Sequence, residues 1–201
     1  GDVATLQLIA CSGVWQRLEA RATGVLSDGS EDSSADFYQL VAWASSSPSV
    51  ADFTSEPCVS GNCRGLAPTQ AGSTTITGSF GGKSGGTSIA IASTQAAVTS
   101  LEVASTTTGS TLTGLVGTAD TLTVTATFDD NTVLAVANSG AYSSSWLPPS
   151  SLLDFTSSIP ASVQVSSQGV ATLQANYHSA VTVTASDSCG GSASVGVDLF
   201  A

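Results

Sequence analysis

Apolar and polar residues alternate with period two along much of the chain: Leu6 and Leu8, Leu101 and Val103, Leu122 and Val124, and Val181 and Val183 are each separated by one polar or small residue. Alternation of this kind places every second side chain on one face, which is the pattern of a half-buried antiparallel strand. Turn signals recur between the runs, among them Ser27-Asp28-Gly29, Gly81-Gly82, Asp129-Asp130-Asn131 and Gly190-Gly191. Short strands joined by tight turns predict a β-sandwich, and neither half of the chain carries a convincing helical period.

The pattern occurs twice. VLSDGS (25–30), VAWASSSPSV (41–50) and RGLAPTQAGSTTITGSF (64–80) are followed in the same order by TFDDNT (127–132), LDFTSSIPASV (153–163) and QGVATLQANYHSAVTVTAS (168–186). Asp28 matches Asp130, Trp43 matches Phe155, Pro48 matches Pro160, Gly65 matches Gly169 and Gln70 matches Gln174, at offsets of 102, 112, 112, 104 and 104. A period near 104 with compensating insertions reads as a tandem duplication. The expected domains are residues 1–96 and 97–201. The second copy carries its insertion within AVANSGAYSSSWLPPSS, and the first carries one that holds EPCVSGNC; insertions of this kind accumulate in surface loops.

Composition supports a folded β chain. Of 201 residues, 35 are Ser and 25 are Thr, hydrophobic residues make up 41%, and Met is absent. Hydroxylated, β-branched and Gly-rich sequences favour strands and turns over helices, and the apolar content is too high for disorder. Four basic residues, Arg17, Arg21, Arg64 and Lys83, face 15 acidic ones, for a net charge of −11. No basic cluster could follow a phosphate backbone or an anionic membrane, so nucleic acid is excluded as a partner, and without a run of 18 apolar residues no direct membrane insertion is expected. Neither end carries a signal-peptide or anchoring pattern, so the chain is expected to be a mature piece of something longer. An even number of cysteines, Cys11, Cys58, Cys63 and Cys189, suggests disulfides in an oxidising, extracellular or cell-surface setting. Zinc is the competing reading, but the C-x4-C pair lacks the second close-spaced pair that a structural site needs.

The order ATGVLSDGS, VAWASSSPSVADF, GLAPTQAGSTTITGSF resembles the bacterial immunoglobulin-like group 2 (BIG2) family, found in invasin- and intimin-type adhesins and other surface proteins. The resemblance is strong over residues 18–80 and weaker over 99–186. It implies two tandem immunoglobulin-like β-sandwiches in a stalk or adhesin, and it does not imply any one ligand. Similar modules occur in surface glycoproteins of eukaryotic cells and algal flagella. Cys58 and Cys63 are expected to pair and close the inserted loop of the first copy. Given the strand course of such a sandwich, Cys11 and Cys189 approach the junction of the two domains and are expected to bridge them; pairing with neighbouring domains is the alternative.

Candidate chemistry is sparse. A nucleophile needs a base and an orienting group, and the single histidine, His178, reads as a loop residue, so no catalytic residue is expected. Gly82-Lys83-Ser84-Gly85-Gly86 matches G-x-S-x-G, but a nucleophile elbow needs a strand running into a helix, and this stretch reads as a hairpin. Asp129-Asp130-Asn131 offers oxygen ligands without the rest of a calcium loop, so neither metal nor cofactor is expected. Trp43 and Phe155 are expected between the sheets as core aromatics, and Tyr142 and Trp146, in the inserted loop, are candidate ligand contacts. No N-glycosylation sequon is present, and O-linked sugar at Thr106–Thr108 or Ser143–Ser145 is left open by composition. Three functions follow: a structural stalk segment, a module binding a cell-surface glycan or protein through its inserted loops, or an accessory domain of a secreted hydrolase. Adjacent immunoglobulin-like domains of the same chain are the expected partners in each.

Overall fold

The computed structural model describes residues 4–57, 64–105, 111–136, 147, 149–175 and 180–200. The chain divides into two units, Gly1–Ile9 with Trp15–Gln95 and Ala10–Val14 with Ala96–Ala201. The first contains β1 (Ala4–Ile9), β2 (Leu18–Ala20), β3 (Gly24–Val25), β4 (Glu31–Asp32), β5 (Ala42–Ser45), β6 (Ala51–Pro57), β7 (Arg64–Pro68), β8 (Gly72–Phe80) and β9 (Lys83–Ala96). The second contains β10 (Val98–Ser105), β11 (Thr111–Thr113), β12 (Ala119–Phe128), β13 (Val133–Val136), β14 (Leu153–Ser157), β15 (Val163–Val165), β16 (Val170–Leu173), β17 (Val181–Asp187) and β18 (Ser192–Phe200).

In the second unit one sheet runs β10-β12-β16-β15, with β13 also on β12, and the other runs β11-β18-β17-β14. Alternation decides what lies between them. Leu122, Val163, Ala171 and Leu173 from the first sheet meet Leu112, Val181 and Val183 from the second in one buried cluster. This division of strands between two facing sheets, with β11 parallel to β18 at an edge, is the immunoglobulin arrangement. The first unit has sheets β1-β9-β8-β5 and β2-β7-β6, with β3 and β4 as a separate hairpin. Its core joins Leu6, Ile76, Ile89 and Ile91 to Ala51 and Leu66.

Seven strands occupy matching places in the two units, and so do their turns. Leu26 N–H donates to Ser30 O and Gly29 N–H to Leu26 O, while Phe128 N–H donates to Thr132 O and Asn131 N–H to Phe128 O. Asp28 accepts the Ser30 N–H at 2.9 Å, and Asp130 accepts the Thr132 N–H at 2.8 Å. The residue after each Asp must be left-handed: Gly29 has φ 82° and Asn131 φ 63°, as a three-residue hairpin loop with its bulge requires. Pro48 and Pro160 occupy the second position of matching turns, closed by Val50 N–H to Ser47 O and Ser162 N–H to Ile159 O, where a fixed φ favours the turn.

Two sequence expectations change. Ala51 lies opposite Pro68 and Val163 opposite Leu173, so with the former residues offset by 112 the following strand is offset by 105. Gly65 and Gly169 therefore do not correspond, and neither do Gln70 and Gln174: Gly65 lies inside β7, whereas Gly169 is a turn glycine with φ 74° ahead of β16, and it is Thr69 N–H, donating to Val50 O, that matches Gln174 N–H, donating to Ser162 O. A helix, α1 (Ala35–Leu40), also forms, with the Ser34 hydroxyl accepting the Phe37 N–H at 3.2 Å. Six residues are too few to show a period of 3.6, so its signal is the N-cap alone.

Candidate functional site

Two tight turns present the described cysteines. After β17, Asp187 accepts the Cys189 N–H at 2.8 Å and the Gly191 N–H at 2.9 Å through the same carboxylate oxygen, and Gly190 takes a φ of 96°. After β1, Cys11 has φ 60° and Gly13 φ 69°, and Ser12 Oγ accepts the Val14 N–H at 3.0 Å. Cys11 and Cys189 are joined by a disulfide across 178 positions of sequence. The pairing is the one expected from the sequence. The turn that carries Cys11, Ala10–Val14, groups with the second unit although it follows β1 of the first. Ala10 N–H donates to Ala96 O there, and the chain turns back before Trp15.

Cys58, Cys63, Tyr142, Trp146 and His178 lie outside the described residues. Trp43 is half-buried on β5 against the first core, with its ring centroid 5.6 Å from Phe53 and 5.7 Å from Tyr38. Burial raises the Tyr38 hydroxyl pKa, against the opposing effect of the Arg64 guanidinium. Phe155 packs on the second core beneath Gly169, where an added Cβ would meet the ring at 3.1 Å.

The acidic turns are committed to their own backbone. Asp129 accepts the Ala97 N–H and Asp130 the Thr132 N–H, and among the described residues no three metal-ligating side chains come together. The Asp28 carboxyl is held below the ordinary value by the Ser30 hydroxyl and N–H, and Asp32 by the Ser34 N–H and hydroxyl. Lys83-Ser84-Gly85-Gly86 runs antiparallel to β8 after a Gly81-Gly82 turn, so the G-x-S-x-G match has no following helix.

One feature escaped sequence reasoning. The first unit holds a cavity of about 780 Å³, open on one side, between residues 18–27 and the β8–β9 hairpin. Its wall is apolar, with Leu18, Phe37, Val41, Trp43, Ile76 and Ile89, and Arg21 and Lys83 also face it. Arg21 pairs with Glu19 at 3.1 Å, an exposed ion pair worth little in stability.

The fold defines an immunoglobulin-like all-β protein. No family model and no curated protein sequence matches the chain. Among solved structures it is similar to domains 5–6 of the S-layer protein SbsC, at 13% identity over 100% of this chain and 94% of that one, with a TM-score of 0.40. It is also similar to a C-terminal fragment of intimin in complex with the translocated intimin receptor, at 11% identity over 96% of this chain and 60% of that one, TM-score 0.32. A third is invasin, described as a bacterial integrin-binding protein, at 18% identity over 99% of this chain and 37% of that one, TM-score 0.30. Likeness at this level carries no argument about partner or activity.

Proposed function

We propose that the chain is a non-catalytic extracellular or cell-surface structural module, built as two tandem BIG2-like domains covering residues 1–96 and 97–201, and that it forms a stalk segment of a larger surface protein. The observation that supports this reading most is the Cys11–Cys189 disulfide, because such bonds persist in oxidising compartments and are rare in reducing ones. The acidic surface adds to it: a net charge of −11 keeps a hydroxyl-rich β chain soluble by self-repulsion. Neighbouring immunoglobulin-like domains of the same chain are its partners in this reading, and an inserted loop closed by Cys58 and Cys63 ornaments the first domain. Antibody labelling of intact producing cells tests the location. Labelling without permeabilisation is expected, and a signal that requires permeabilisation overturns the reading.

A further inference from the structure

The turn that carries Cys11 is clamped at its base and exposed at its tip. Ile9 and Gln16 are fully buried, and Leu8 forms a bridge with Trp15. Gln7 N–H donates to Gln16 Oε1 and Gln16 N–H donates to Gln7 O, each at 2.9 Å. Between these anchors Cys11 is exposed and takes a φ of 60°. A residue with a side chain in the left-handed region carries backbone strain, and it stays there because the structure around it holds it.

The other half of the bond is built differently. Cys189 is exposed too, but its turn is held by the backbone. The buried Asp187 carboxylate accepts the Cys189 and Gly191 N–H groups, and Asp187 N–H donates to Gly191 O at 2.9 Å. One cysteine therefore sits on a fixed turn and the other on a strained one, and both residues face water. A disulfide inside a sandwich core meets a reductant only when the domain opens; a bond between two exposed turns has no such requirement.

We propose that the Cys11–Cys189 bond is a thiol-exchange site that reacts in the folded chain with a small external dithiol, and that its opening releases Ala10–Val14 while both units stay folded. The entering thiolate bonds to Cys189 Sγ, the Cys11–Cys189 bond breaks, and Cys11 Sγ leaves as a thiolate that takes up a proton from water. The second thiol of the reagent then displaces Cys189 Sγ and closes the reagent into a cyclic disulfide, so two electrons pass from the dithiol to the protein. Charge sets the direction of attack. In the transition state the negative charge gathers on the entering and leaving sulfurs, and the central sulfur carries least. Asp187 stands beside Cys189, whereas Ala10–Val14 contains no charged residue, so placing Cys189 at the centre keeps the leaving charge away from a carboxylate. The stability that the ring confers governs how far exchange runs, and exposure governs how fast.

Reduction of the intact oxidised chain by excess dithiothreitol, read by alkylation and mass in native buffer and in denaturing urea, tests the proposal. The native rate is expected within about tenfold of the rate in urea; a bond reached only through unfolding lags by about 10³ or more, the usual ratio of folded to unfolded chains, and such a lag overturns the proposal. Leu122→Ala, which loosens the second core, is expected to leave the native rate unchanged, and acceleration in step with lost stability overturns it. Amide hydrogen exchange is expected to quicken at Cys11–Val14 on reduction while Val181–Asp187 stays protected. Loss of protection along Val181–Asp187 in step with reduction overturns the release of the turn alone. With 2-mercaptoethanol and an acid quench the mixed adduct is expected on Cys189, and an adduct on Cys11 with Cys189 free overturns the direction of attack.

Discussion

Replacing both bonded cysteines, Cys11→Ala with Cys189→Ala, is expected to destabilise the second unit selectively by about 5 kcal/mol. The bond closes a ring spanning 178 positions, and the chain-entropy relation for a ring of that size gives about 5 kcal/mol at 25 °C. The figure is robust to what the first unit does. If residues 15–95 stay folded, the flexible part of the ring is roughly halved, and halving a loop changes its closure cost by only about 0.6 kcal/mol. The loss belongs to the second unit because Ala10–Val14 and Cys189 both lie in it, and about 5 kcal/mol is a large share of the 5–15 typical of a whole domain. Urea denaturation of the double variant, with hydrogen exchange read separately in β14–β17 and β5–β8, measures it. A loss below about 1 kcal/mol in the second unit, or an equal loss in both units, would refute the reasoning, the latter by showing that the bond couples two units rather than closing one.

Other expectations follow from the turns and cores. Leu122→Ala should cost the second unit about 2–5 kcal/mol, as removal of a fully buried leucine does elsewhere, measured by urea titration. Asp187→Ala removes an acceptor of two backbone N–H groups and should cost about 2–3 kcal/mol, with faster exchange at Cys189 and Gly191 as the check. Gly29→Ala should cost about 1–2 kcal/mol because its φ of 82° disfavours a Cβ, and Gly29→Asn should cost less, since Asn131 holds the equivalent position; thermal denaturation of the pair decides it. The Asp28 and Asp32 pKa values are depressed on folding, so the stability they contribute is present above their ordinary value of 3.8 and is lost as pH falls through the folded values. Carbon-13 NMR titration should place both midpoints below 3.8, with the β3–β4 hairpin loosening across the same range.

Much of the fold is legible because the features that repeat are turn features. Asp28 and Asp130, and Pro48 and Pro160, occupy positions where only a few residue types serve, so they mark equivalent points of the backbone despite little other identity. The Gly65 and Gly169 match misled because a glycine can be chosen either for a positive φ, as at 169, or for a place in a strand, as at 65. The association of Ala10–Val14 with the second unit was hidden because alternation reports which face is buried but not which core it joins. The cavity of the first unit was hidden for a related reason: the small residue Gly24 reads as lost volume, yet in the fold the Phe37 ring of α1 lies against it, where an added Cβ would meet the ring at 2.5 Å. Tyr142 and Trp146 stand out in the sequence as aromatics in an inserted loop, and they lie outside the described residues.

The ring closed by Cys11 and Cys189 also fixes how the chain would carry tension. A pull transmitted along the backbone passes from Cys11 to Cys189 through two sulfur atoms and leaves the residues between them unloaded. The bypassed stretch, at 3.3–3.6 Å for each extended residue, hides a contour length on the order of 600 Å. While the bond is intact none of that length can be paid out, however far either sandwich unravels. Reduction would turn a nearly inextensible link into a long, soft one. A thiol-dependent jump in extension of that size under constant force is the mechanical signature of this connectivity.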